Sequence, residues 1–507
     1  MLLNDFLTAA AHRLPEKRAL VCDGWSITYA QIDRQASALA AALQARGVRR
    51  GDRVATYLEN SGQAVVAIWG ALRAGAVFMP LNALTKRDKL DYLLRDSQAC
   101  ALVTDASLRR EWEGAVAANP CVHTVVSAGE TASPLGAIVS YEAAIGSALP
   151  LVDPQLIDQD LAALVYTSGS TGVAKGVMLT HLNMVSAARS ISTYLGLVES
   201  DVILCVSPLA FDYGLYQILM GCKVGATVVL ERSFAFPVKI LEVMARERVS
   251  VLPGVPTVFS MLTSIKSIGQ YDLRSLRVLT NTAAALSERH IRELRALFPQ
   301  ARLFSMYGLT ECKRVTYLPP EQLDARPTSV GRGMPNEEVW LVDDDGRRLP
   351  NGSTGELVIR GSHVMRGYWN KPAETAERLR PGPHPGEMVL YSGDLFRTDA
   401  EGYLYFLARK DDMIKSRGEK VSPREVENAL YSLPGVAEAA VVGVPDPVLG
   451  EAVKAFIALQ PGYRYTQKDV IRHALSKLES FMAPKYVEFR EALPKTDTGK
   501  IKKAGLA

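Results

Sequence analysis

The densest chemistry in the chain lies at residues 164–181, LVYTSGSTGVAKGVMLTH. An apolar run at 161–166 breaks into Thr167, Ser168, Gly169, Ser170, Thr171 and Gly172. Lys175 follows, and a helical pattern opens at Leu182. Gly169 and Gly172 have no Cβ, so the backbone can come close to a ligand. The hydroxyls donate hydrogen bonds and Lys175 brings a positive charge, a combination that suits a polyphosphate. This is not a Walker A loop, which needs Gly-Lys-Ser/Thr in a row, whereas Lys175 stands between Ala174 and Gly176. The competing reading is a flexible Gly/Ser linker. Such linkers rarely follow a buried strand or carry a lysine.

TSGSTGVAKGV resembles, almost residue for residue, the phosphate loop of the adenylate-forming enzymes, a group that includes acyl-CoA synthetases, amino-acid adenylating enzymes and firefly luciferase. Three further stretches resemble its other signatures in the same order. In MYGLTECKR (306–314) the resemblance implies that Glu311 holds the Mg²⁺ that accompanies ATP, that Thr310 bonds the α-phosphate and that Tyr307 lies beside the adenine. A hard cation satisfied by one or two carboxylates plus phosphate oxygens makes chemical sense of Glu311. In YSGDLF, Asp394 takes the place of the carboxylate that accepts hydrogen bonds from both ribose hydroxyls, and Arg409 that of an arginine reaching the same sugar. Without the resemblance, Asp394 could equally be a turn residue after Gly393. The fourth signature is PKTDTGKIKK, whose Lys500 takes the place of the lysine of adenylation. A cation there would neutralise charge where a carboxylate meets the α-phosphate. The plainer alternative is a basic tail.

The resemblance also implies a working cycle. The acid is primed as an acyl-adenylate with loss of pyrophosphate, then handed to a thiol, either coenzyme A or the phosphopantetheine of a separate carrier protein. Asp411 matches the hinge about which a small C-terminal domain swings, and Gly418, in KSRGEKVSPREVE, fits a place where a pantetheine arm passes close to backbone. NTAAAL (281–286) stands where the family has a stretch lining adenine and the acyl pocket. Ala283 and Ala284 match it, while Asn281, Thr282 and Ala285 depart from it.

The acid is less legible. The pocket should draw on Phe211, Asp212, Gly254, Asn281 and Lys313. A histidine common in acyl- and aryl-CoA ligases near Phe211 is missing. Asp212 instead aligns with the aspartate that binds the substrate amine in amino-acid-activating members. A carboxylate facing a pocket is costly without a cation, so an amino or imino acid such as proline, loaded on a carrier protein, is one expectation. The other is that Asp212 pairs with Lys313 or Arg314 and the enzyme is an aryl- or fatty-acyl-CoA synthetase for a neutral acid.

Helix and strand patterns alternate through the elements that must hold these residues. Residues 29–46 place Ile32, Ala36, Leu39 and Leu43 on one helical stripe. Apolar runs near 54–58, 76–80, 202–206, 227–230, 249–252 and 277–279 sit beside helical segments, which argues for α/β layers with a largely parallel sheet. From about 329 to 399 short alternating strands and the turns Asp345-Gly346 and Asn351-Gly352 indicate a small β unit. A last α+β unit begins near Lys410. The expected architecture is a large N-terminal adenylation domain (1–409) of layered α/β subdomains plus the β unit, and a mobile C-terminal domain (410–507).

Composition agrees with a globular enzyme. Of the 507 residues 48% are hydrophobic and 22% charged, and 58 basic residues nearly balance 54 acidic ones. That balance offers no field for nucleic acid. The six cysteines form no CxxC pair and no zinc spacing, which points to a reducing compartment, and Cys312 reads as a small packed side chain. The N-terminus lacks the pattern of a signal peptide and no apolar run reaches 18 residues, so a cytoplasmic protein without a membrane span is expected.

Overall fold

Apolar strands flanked by amphipathic helices organise the larger part of the molecule. The computed structural model describes the chain apart from residues 130–137, 169–173, 284–285, 417–418, 447–449, 479, 497–500, 504 and 507, and apart from the side chains of 168, 411, 415, 419, 420 and 450.

Among the described residues two large sheets carry the N-terminal part. In the first, Leu161–Ser168, Val77–Asn82, Arg53–Leu58, Ala101–Asp105, Thr124–Ala128 and Ile138–Ser140 run parallel, and Ala174–Thr180 and Gly367–Tyr368 extend it antiparallel. The second has a parallel centre of Arg302–Tyr307, Val278–Asn281, Val251–Gly254, Val202–Cys205, Thr227–Leu230 and Arg18–Cys22. Helices cover both sheets, which is why their strands read as continuous apolar runs.

The local signals explain the elements. Tyr29–Ala45 buries Ile32, Ala36, Leu39 and Leu43 as its stripe requires, and Thr28 with Gln31 forms a capping box at its start. His181–Leu195 opens on the same device from Thr180 and Asn183 and stops at Gly196, whose φ of 61° suits a residue without a Cβ. Gly62–Arg73 is buried almost all round, as befits a helix between layers.

A five-stranded antiparallel sheet follows: Glu337–Val342, Thr354–Gly361, Met388–Thr398, Leu379–Pro381 and Leu404–Arg409. The last sheet joins Ile414–Ser416, Glu419–Val421, Val436–Asp446, Gly450–Leu459 and Tyr486–Phe489, with Pro423–Tyr431 and Gln467–Leu475 packed against it. The architecture is therefore mixed α/β with a large N-terminal and a small C-terminal part, as expected. Among the described residues no helix is long and apolar enough to cross a membrane.

Candidate active site

Parallel strands deliver their C-terminal ends to one region, the place where open α/β sheets bind ligands. Leu161–Ser168 leads into the Gly/Ser/Thr loop, and its partner Ala174–Thr180 returns from it, with Thr167 opposite Lys175 in register. Gly169, Ser170, Thr171 and Gly172 lie outside the described residues, as does the Ser168 side chain. Lys175 stands 5.5 Å from the centre of the Tyr368 ring. The Tyr368 hydroxyl donates to Glu311 Oε1 at 2.6 Å, and the Met365 amide donates to the Glu311 carbonyl at 2.7 Å. Phosphate loop and MYGLTECKR are thus joined through a tyrosine that sequence reading missed. Tyr368 belongs to the two-residue strand Gly367–Tyr368, too short to leave a pattern.

The turn after Arg302–Tyr307 is folded back tightly. The Val315 amide donates to the Tyr307 carbonyl at 3.0 Å, and a Cβ on Gly308 would stand 2.4 Å from the Lys313 carbonyl oxygen. Thr310 and Glu311 are half-buried at its outer bend. The Tyr307 hydroxyl donates to Asp394 Oδ2 at 2.6 Å, while Arg409 Nε lies 3.7 Å from Oδ1. Asp394 and Arg409 are register partners in the antiparallel sheet. Phe396 and Phe406 pack on the Tyr307 ring at 4.9 and 6.2 Å. Burial pushes the Asp394 carboxyl above the usual carboxylate range, and Arg409 and the Tyr307 hydroxyl pull it back. Arg378, which carried no sequence signal, adds to that pull.

A second cluster forms where Asp212 opens the helix Asp212–Val224, next to Phe211. Lys313 Nζ lies 3.3 Å from Asp212 Oδ2 and 4.6 and 5.4 Å from the ring centres of Tyr216 and Tyr213. The Lys313 side chain is 3% exposed and that of Asp212 25%. Burial pushes the Lys313 ammonium down to about 7, against the attraction of Asp212 and with the repulsion of Arg314. Arg314 donates to the Thr282 hydroxyl. Asn281 is wholly buried, and Gly254, its register partner, leaves room only for the Phe259 ring, 2.6 Å from where a Cβ would stand.

Asp212 therefore already has a cation in the chain. That weakens the physical reason for expecting a substrate ammonium, and supports the other expectation, the pairing of Asp212 with Lys313.

Two residues other than glycine, Ala283 (φ 74°) and Lys313 (φ 67°), hold left-handed backbone in this region. Such conformations cost about 1–3 kcal/mol and gather at functional sites. Ala284 lies outside the described residues. So do Gly418, Lys500 and the Asp411 side chain. Cys312 is fully buried, and burial raises its thiol well above its ordinary range, which fits a packing role. All six cysteines are free thiols.

The model of the AMP-binding enzyme family matches residues 7–369, and that of the AMP-binding enzyme C-terminal domain matches residues 425–500. The chain belongs to the AMP-binding enzyme family. It is similar to a long-chain-fatty-acid–CoA ligase of Bacillus subtilis (strain 168), 31% identical over 98% of this chain and 93% of that protein. It is also similar to a feruloyl-CoA synthase of Amycolatopsis sp, 35% identical over 99% and 97%. Among solved structures, the anthranilate CoA ligase AuaEII in complex with anthranoyl-AMP superposes with a TM-score of 0.91 at 28% identity over 100% and 96% of the two chains. ATP-bound MatB from Rhodopseudomonas palustris gives 0.89 at 30% identity over 100% and 98%. As a member of this family the chain is an AMP-forming acid–thiol ligase that uses ATP.

Among the described residues no group of three or more His, Cys, Asp and Glu could hold a metal by itself. The half-buried Glu311 carboxylate, fixed by Tyr368, suits instead a hard cation that arrives with phosphate oxygens.

Proposed function

We propose that this ligase is an aryl- or fatty-acyl-CoA synthetase, and that its acid carries no ammonium group. The observation that carries the reading is the Asp212–Lys313 pair, which gives a basic partner to the carboxylate expected to recognise an amine. Relatives named for fatty-acyl and feruloyl chemistry, all of them ligases of coenzyme A, support it and favour coenzyme A over a carrier protein.

In the first half-reaction an oxygen of the acid attacks the α-phosphorus of ATP. The bond to the bridging oxygen breaks, and pyrophosphate leaves. The loop from Thr167 to Gly172 and Lys175 would bind the phosphates, Thr310 the α-phosphate. Tyr307, Ala283 and Ala284 would flank the adenine, and Asp394 and Arg409 would hold the ribose. A magnesium ion held by Glu311 would supply charge neutralisation on the phosphates. Lys500 would stabilise the charge that gathers as the two anions meet. In the second half-reaction the thiol sulfur attacks the acyl carbon and AMP leaves. The domains 1–409 and 410–507 would rotate about Asp411 between the two, bringing Gly418 beside the pantetheine arm.

The test follows products: purified protein with ATP, Mg²⁺, coenzyme A and a panel of aryl, fatty and amino acids. Acyl-CoA, AMP and pyrophosphate in equal amounts with an aryl or fatty acid support the reading. ADP in place of AMP, or turnover with amino acids alone, overturns it.

A further inference from the structure

Lys313 and Arg314 are adjacent cations, and both are buried: the Lys313 side chain is 3% exposed and Arg314 as a whole 2%. They lie at the C-terminal end of the strand Val278–Asn281. Arg314 reaches Thr282, the residue after Asn281, and Lys313 reaches Asp212 at the first turn of Asp212–Val224. A helix start adds further positive potential at the same point.

Among the described residues one carboxylate lies within ion-pair distance of these charges. Asp212 faces Lys313, and Arg314 has no carboxylate within 4.0 Å among the described residues. Its Nε makes no hydrogen bond, and its guanidinium rests over the Tyr213 ring at 5.5 Å. A buried guanidinium left this way is expensive, because desolvation is repaid only by a counter-charge. Glu337, the other buried acid nearby, lies beside His363 and makes no ion pair with Arg314, and burial pushes its carboxyl well above the usual carboxylate range. Arg314 is thus short of an anion in the part of the molecule where the acyl group is expected.

We infer that Arg314, with Lys313 and Thr282 beside it, is a specificity site for a second carboxylate at the far end of the acid, so that the substrate is a dicarboxylic aryl or fatty acid. The inference rests on the ligase reading above. The distal carboxylate would take the free face of the guanidinium, while the reacting carboxylate sits at the nucleotide. An acid lacking the second charge would leave Arg314 buried and unpaired, and sites that lose a buried polar partner discriminate strongly.

The test uses two matched sets with the full chain: hexanoate, monomethyl adipate and adipate, then benzoate, monomethyl terephthalate and terephthalate. Pyrophosphate release is read as kcat/KM. In at least one set the diacid should exceed its monomethyl ester by about tenfold or more. Arg314→Met should bring that ratio close to one, and Arg314→Lys should keep most of it. If the esters or simple monoacids are primed as well as the diacids, the inference is wrong while the ligase reading stands. If Arg314→Met keeps the ratio, Arg314 is not the discriminating residue. Should no acid of any class release pyrophosphate, the ligase reading itself fails and this inference with it. The wild-type ratio alone decides the matter should the variants not fold.

Discussion

The buried Lys313 pairs with the half-buried Asp212, 3.3 Å away at the start of a helix, and lies near the rings of Tyr216 and Tyr213. Lys313 holds left-handed backbone at this point. The pair favours an acid without an ammonium group, because a carboxylate that has a basic partner in the chain makes less demand for a cation from the substrate.

Removing one partner should hurt more than removing both. Asp212→Asn leaves the Lys313 ammonium without its counter-charge and should cost about 1–3 kcal/mol in urea unfolding. The double variant Asp212→Asn, Lys313→Met should recover part of that loss. Equal losses for single and double variants would mean that the pair does not couple.

The Tyr368–Glu311 contact predicts a catalytic effect. Tyr368→Phe removes one hydrogen bond to a charged group, which amounts to about 1.5–3 kcal/mol, so kcat/KM for pyrophosphate release should fall about tenfold or more. Glu311→Gln should fall further and should raise the magnesium concentration needed for half-maximal rate. An unchanged magnesium dependence in Glu311→Gln would remove the metal role assigned to it.

Local elements were legible because their causes are local. The stripe of Tyr29–Ala45 and its capping box lie within one stretch of chain. Sheet partners were not, since Arg18–Cys22 pairs with Thr227–Leu230, and nothing in either run names the other. The candidate site shows the same division. Lys175, Glu311, Asp394 and Arg409 sit in stretches whose residue order carries chemistry. Tyr368 and Arg378 reach the same region from segments with no pattern of their own, brought in by the fold. The strain at Lys313 was hidden because such backbone is usually announced by glycine.

Lys500 divides the two half-reactions. Lys500→Ala should lower acid-dependent pyrophosphate release by about 10²–10³, while transfer of the acyl group from supplied acyl-AMP to coenzyme A should survive. A parallel loss of both steps would assign the lysine to folding or to domain placement instead.

His363 and Glu337 give a pH signature in stability. The two side chains are fully buried, with Nε2 and Oε2 2.9 Å apart. Burial pushes the imidazole down to about 4 from 6.5 and the carboxyl well above 4.5, so burial favours a neutral folded pair with its one proton on Glu337. Between pH 4.5 and 6.5 the unfolded pair also carries one proton, on the histidine, and the pair contributes no slope. Above 6.5 the unfolded pair has none, and stability should fall as pH rises, by at most about 1.4 kcal/mol per unit. Glu337→Gln abolishes that fall and instead loses stability below 6.5, where the unfolded histidine takes a proton that the folded one refuses until about 4. Urea midpoints of both proteins from pH 5 to 8 check this; parallel curves would contradict it.

The most direct test of the central claim omits the thiol. Purified protein is mixed in a single turnover with ATP, Mg²⁺ and a panel of aryl and fatty acids, mono- and dicarboxylic, and the quenched mixture is weighed by mass spectrometry. An acyl-adenylate bound to the protein should form one-for-one with pyrophosphate and be consumed when coenzyme A is added. Acyl phosphate with ADP, or no adenylate from any acid offered, would contradict it.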